Sequence, residues 1–109
     1  MKIEDVPFCT IDWSKVKPTI HPGVTGEAHW HTFEMGNIRV RMVEYTPGYL
    51  ADHWCSRGHV LLVLEGELVT ELDDGRTFTL KPGTSYQVAD NANPHRSYTK
   101  KGAKLFIVD

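Results

Sequence analysis

The stretch that decides the reading of this chain of 109 residues is Pro47-Gly48-Tyr49-Leu50-Ala51-Asp52-His53-Trp54-Cys55-Ser56-Arg57-Gly58-His59-Val60-Leu61-Leu62-Val63-Leu64-Glu65-Gly66. It opens on a Pro-Gly bend, passes through His53, Cys55 and His59, and ends in an apolar run bounded by turn residues, the pattern of a buried strand. In an extended chain, residues two apart share a face. His53 and Cys55 are therefore expected to point together, with Asp52 and Trp54 turned the other way. The short Ser56-Arg57-Gly58 connection can fold the chain back so that His59, opening the next strand, meets the same spot. Imidazole and thiolate donors suit zinc, iron, nickel or copper, whereas magnesium and calcium want oxygen.

Outward from this stretch the same strand-and-turn grammar continues. Runs rich in Val, Ile, Thr, Tyr and Leu predict strands over 28–34, 38–45, 50–55, 59–64, 67–72, 76–80, 85–88, 95–99 and 103–108. Gly36-Asn37, Asp74-Gly75 and Lys101-Gly102 can supply positive φ between them, while Pro47-Gly48 and Pro82-Gly83 favour tight bends. No gap is long enough for a crossover helix, so the strands are expected to be antiparallel and parallel α/β folds are excluded. Residues 1–24 differ, because Pro7, Pro18, Pro22 and Gly23 interrupt any ladder while Phe8, Ile11, Trp13 and Ile20 still offer apolar anchors. They read as an N-terminal arm that covers its own barrel edge or lies on a partner, with the barrel over 25–109.

The bulk properties narrow the function classes. A formal charge of -2, with both signs scattered along the chain, offers no footprint for nucleic acid or an acidic membrane. No run is long and apolar enough to span a membrane, and MKIEDVPFCT lacks a secretory apolar stretch, so the expected compartment is cytoplasmic. Cys9 and Cys55 are too few for a disulfide framework.

The central stretch resembles the first motif of the cupins, which runs Gly, five residues, His-x-His, three or four residues, Glu, six residues, Gly. Here it is Gly48, four residues, His53-Trp54-Cys55, three residues, His59, six residues, Gly66. The second cupin motif resembles Lys81-Pro82-Gly83 through Pro94-His95, with one residue inserted and the inner Pro and Gly missing. The resemblance covers roughly 38–108, and is closer still to short single-domain cupins marked by Asp-His-Trp-Cys. It implies an all-β fold, a single cupin-type antiparallel β-barrel or jelly roll. It also implies a metal shell of His53, Cys55, His59 and His95, in which Cys55 stands for the family's second His and His59 for its acidic ligand. Both replacements keep a competent donor. The insertion before His95 has to be absorbed by the loop Asp90–Asn93, since a one-residue slip would turn His95 to the opposite face.

The implied cofactor is a divalent transition metal: zinc, iron or nickel. A tetrahedral zinc held by all four residues would be closed and structural, whereas an octahedral ion would keep open positions for a small-molecule ligand. The expectation is thus a metal-dependent enzyme acting on a small molecule, oxygenase-like or isomerase- or lyase-like, with a non-catalytic metal- or ligand-binding cupin as the alternative. Because cupins commonly pair barrels and this chain carries an arm, a homodimer is expected. Arg39 and Arg41 alternate with Ile38, Val40 and Met42, which most simply means one wet and one buried face. The alternative places Arg41 in the pocket as an anchor for a carboxylate. Tyr45 and Tyr86 are candidates for bonding a ligand or acting as a general acid, and otherwise for packing. His29 and His31 lack further donors at metal-site spacing, and Cys9 has no donor neighbours.

Overall fold

In the computed structural model, which describes residues 2–109, the elements are strands joined by turns. They are β1 (Thr19–Pro22), β2 (Glu27–Met35), β3 (Ile38–Tyr45), β4 (His59–Gly66), β5 (Leu68–Leu72), β6 (Thr77–Leu80), β7 (Ser85–Val88), β8 (His95–Tyr98) and β9 (Ala103–Val108). The only regular helical element among the described residues is one 3-10 turn, Trp13–Lys15, and no helix is long and apolar enough to cross a membrane. One sheet has the order β1-β2-β3-β9-β4-β7 and the other β6-β5-β8, with all pairs antiparallel. From β4 onward the chain passes repeatedly between the sheets, the connectivity of a jelly roll.

The register stacks the inward side chains into cross-strand ladders. Val43, Leu105 and Val63 lie opposite one another and are 0–1 % exposed, forming with Ala28, Leu68 and Leu80 an apolar floor. One step along the barrel come Arg41, Ile107, Leu61 and Tyr86. One step further are Arg39, Asp109, His59 and Val88. The barrel is therefore apolar at one end and charged at the other.

Two expectations change, and one of the two alternatives for the arm is met. The stretch 50–55 is not a continuous strand: it touches β8 only through single bridges at Leu50 and Cys55, with bends at Asp52 and His53 between. The arm contributes a strand of its own, since β1 pairs with β2 and closes that edge of the large sheet. On β3 the arginines occupy the inward face and Ile38, Val40 and Met42 the outer one, because the charged end of the barrel interior supplies Arg41 with a partner that solvent-facing parity would not.

The rest of the arm is strapped along the outside of β2. His31 Nδ1 donates to the Val16 carbonyl at 2.6 Å, and Asn37 at the β2–β3 turn accepts from Glu4 N at 2.8 Å and donates to the Lys2 carbonyl at 2.6 Å. At the opposite end Gly66, φ +78°, ends β4 beside a register shift against β9, and a Cβ there would collide with the Gly102 carbonyl. Gly66→Ala is expected to lower unfolding free energy by about 2 kcal/mol or more, because strain and clash combine. Gly75→Ala, also at positive φ but with open space around it, should cost about 1 kcal/mol. Equal urea midpoints for the two variants would contradict this.

Candidate metal centre

Cys55 and His95 exchange both of their backbone hydrogen bonds, at 2.8 and 2.9 Å, so the loop is pinned to the start of β8 with the two side chains on one face. His59, at the start of β4, reaches the same place from the opposite sheet, its Nε2 lying 3.2 Å from His95 Nε2. Ligand atoms from Cys55, His59 and His95 all lie within 4.8 Å of one another. Tetrahedral zinc at its usual bond lengths would set such atoms about 3.3–3.6 Å apart. The two imidazole nitrogens, at 3.2 Å, stand just short of that range, and the thiol lies within 4.8 Å of both.

The hydrogen bonds fix which ring nitrogens face inward. His95 Nδ1 donates to the Asn93 carbonyl at 2.9 Å, which turns Nε2 toward the cluster. Tyr86 lies 2.8 Å from His59 Nε2, and burial pushes its hydroxyl well above the ordinary tyrosine value, so Tyr86 is the donor and His59 Nε2 the acceptor. His59 Nδ1–H then faces Asp109 Oδ2 across 3.7 Å, beyond hydrogen-bond distance, and is buried without a partner. The single lone pair of His59 Nε2 accepts from Tyr86, so a cation bound at that nitrogen would displace the hydroxyl and free it for another acceptor. The neighbouring His95 ring pulls the Cys55 thiol below its ordinary value against the opposing effect of burial, and the thiol in turn raises His95. The donor set therefore fits a soft divalent cation, with the thiol biased toward its ligating thiolate form.

His53 is not brought into this cluster. The bends at Asp52 and His53 break the two-residue parity with Cys55, leaving the His53 side chain 75 % exposed, with Nδ1 2.6 Å from Asp52 Oδ1. Tyr86 lies against both histidines, with ring centroids 5.5 and 5.7 Å from His59 and His95. Tyr45 stacks on Tyr49 at 4.2 Å, and burial raises its hydroxyl too. His29 pairs with Glu27 and His31 with the arm, so neither joins the site. A cavity of about 400 Å³ opens between the unpaired edges of β6 and β7, lined among others by Thr70, Phe78, Ser85, Gln87, Tyr86 and His95. Tyr86 and His95 thus connect the donor cluster to open space.

Sequence reasoning missed the group that sits behind His59. The Asp109 carboxylate is 1 % exposed and accepts from Arg39 Nε and Nη2 at 2.9 Å each and from Arg41 Nη2 at 3.0 Å; Arg57 Nε stands at 3.5 Å. The legible signal was parity: Asp109 is two residues beyond Ile107, on the inward face of β9. Burial opposes the Asp109 charge, but the His59 ring and the guanidinium groups outweigh it and hold the carboxyl well below the usual range. A depressed folded value contributes stability that is fully present above the unfolded carboxylate value, about 3.9, and is lost as pH falls beneath it. Asp109→Ala, which strands the arginines, is expected to cost about 3–5 kcal/mol. Asp109→Asn should flatten the acid limb of stability below about pH 4. Denaturant titrations from pH 2 to 7 check both.

No family model and no curated protein matches this sequence. Among solved structures, an RmlC-like cupin from Shewanella frigidimarina superposes with a TM-score of 0.67 at 18% identity, over 87% of this chain and 83% of that one. Ectoine synthase from P. lautus gives a TM-score of 0.75 at 13% identity, over 93% and 76%. Hydroxypropylphosphonic acid epoxidase from S. wedmorenis gives 0.70 at 18% identity, over 94% and 59%. With its two antiparallel sheets, its jelly-roll connectivity and these superpositions, the chain has the fold of a small cupin.

Proposed function

We propose that this chain is a metal-dependent cupin acting on a small molecule, with Cys55, His59 and His95 holding one divalent transition metal (zinc, iron or nickel). The observation that carries this reading is the convergence of three soft donors beside a cavity, while the fourth donor of the motif, His53, faces outward. Three protein ligands leave a coordination position free for a ligand, the arrangement of catalytic rather than structural sites. A metal bound here would supply Lewis-acid or electron-transfer chemistry to a coordinated small molecule. The protein's own parts are to seat that molecule in the cavity, to exclude water with Leu72, Phe78 and Leu80, and to present the Tyr86 hydroxyl. Because Tyr86 keeps its proton at neutral pH, it serves as a hydrogen-bond or proton donor at its Oη. Two of the superposed proteins, ectoine synthase and the epoxidase, are enzymes built on this fold, which supports catalysis by analogy of architecture alone.

Cobalt(II) titration of metal-free protein tests the reading. One equivalent should bind with a thiolate-to-metal charge-transfer band that Cys55→Ser abolishes and His53→Ala leaves in place. Affinity should fall on acidification, because the thiol and both imidazoles must be deprotonated to ligate. Loss of the metal in His53→Ala would instead support a closed four-ligand shell and move the reading to a non-catalytic metal-binding module.

We also propose that the functional unit is a homodimer. On the outer face of the large sheet Val40, Val108 and Val60 lie opposite one another, as do Met42, Phe106 and Leu62, giving a continuous apolar strip. Val60 is 42% and Leu64 38% exposed, and Phe8 of the arm is 98% exposed. An apolar strip of this kind can meet its own copy across a two-fold axis, which suits a second copy of the chain. Sedimentation should give a dimer for the wild type and a monomer for Leu62→Glu/Phe106→Glu; a monomeric wild type would refute the dimer.

A further inference from the structure

The cavity between β6 and β7 and the donor cluster meet at one group, the Tyr86 hydroxyl. It donates to His59 Nε2 at 2.8 Å, and the same nitrogen stands 3.2 Å from His95 Nε2. A neutral imidazole has one ring lone pair, so whatever takes His59 at Nε2 has to take it from Tyr86. The other nitrogen offers no alternative, since Nδ1 carries the ring proton toward Asp109 and is buried. Zinc bonds an imidazole nitrogen at about 2.0–2.1 Å, inside the 2.8 Å contact, so ion and hydroxyl cannot share that lone pair. The displaced hydroxyl has somewhere to go. β7 is the edge strand of the large sheet, paired on one side only, by β4, and Tyr86 lines the cavity at its open side. Ser97, the other hydroxyl beside it, is engaged with Thr70 at 2.7 Å. A small molecule held in the cavity at the metal is then the acceptor within reach of the freed hydroxyl.

We propose that the Tyr86 hydroxyl orders binding at this site: it caps His59 in the metal-free protein, yields that nitrogen to the metal, and then donates to an oxygen atom of the small molecule. Tyr86 therefore competes with the metal and cooperates with the ligand. Metal binding creates the hydrogen-bond donor that the ligand uses, which couples the two binding events and sets their sequence. The ligand class this implies carries an oxygen acceptor, a carboxylate or a carbonyl, at the atom that meets the metal. The inference rests on the metal reading and deepens it, by naming what regulates access of the ligand to that same site.

Tyr86→Phe removes the hydroxyl and keeps the ring against both histidines, and two titrations read its effect. Cobalt(II) added to metal-free protein should bind Tyr86→Phe about fivefold more tightly than wild type, because no hydrogen bond has to be surrendered. Acetate added to the cobalt-loaded proteins, followed by the change in the cobalt spectrum, should bind Tyr86→Phe about fivefold more weakly. Opposite signs from one substitution are the signature, since a hydroxyl that merely supported the fold would weaken both. Tyr98→Phe, on the outer face of the small sheet, should change neither. In wild type, zinc should move the near-ultraviolet tyrosine absorption to shorter wavelength as the hydroxyl loses its imidazole acceptor, and in Tyr86→Phe that shift should vanish. Cobalt affinity unchanged or lower in Tyr86→Phe, or acetate affinity unchanged or higher, would overturn the proposal. The metal reading fails on a different result. If neither protein binds cobalt, that reading falls and takes the ordering with it, whereas equal cobalt binding by both leaves the metal standing and removes only the role of Tyr86.

Discussion

The double backbone hydrogen bond between Cys55 and His95 is the contact on which the site depends. It ties an otherwise irregular loop to β8 and so substitutes for a fourth strand in the small sheet. It also sets the thiol and the imidazole side by side, from which their opposite pKa shifts follow. Because the pin is made by main-chain atoms, the loop residues before it are free to bend, and that freedom turns His53 outward. That Cys55, His59 and His95 draw together while His53 does not is therefore a backbone effect.

The barrel separates stability from chemistry along its axis. At one end Val43, Val63, Leu105 and Leu68 are almost fully buried and need nothing but each other. At the other end the same inward positions carry Arg39, Arg41, His59 and Asp109, groups whose desolvation has to be offset by ion pairing. Between the two, Thr70 and Ser97 bond across the small sheet at 2.7 Å, a polar contact that is internally satisfied. Such grading lets a small domain bury charge at one end without surrendering its core.

How much of this was legible in the letters follows from the physics of each element. Strand limits such as Ile38–Tyr45, Ser85–Val88 and Ala103–Val108 were readable because turn residues with positive φ or fixed φ stand at their ends. His59, His95 and Cys55 were readable from motif spacing, and the structure brings their ligand atoms together. The parity argument for His53 failed because it presumed an extended chain where Asp52 and His53 bend. The alternation around Arg41 was inverted because wet and buried faces are told apart by hydropathy only when the interior is apolar, and here one end is not. Asp109 was invisible as a site residue, since its meaning comes from three arginines contributed by β3 and by the loop before β4.

The position of β9 at the centre of the large sheet carries a further implication, for how the molecule is made. β9 lies between β3 and β4, so those two strands do not pair with each other, and each meets β9 only across tens of residues of sequence. On a ribosome the sheet therefore stays as two unjoined halves until residues 103–109 have emerged. Closure of the core and assembly of the charged ladder then become a single late event, of the kind that high contact order makes slow.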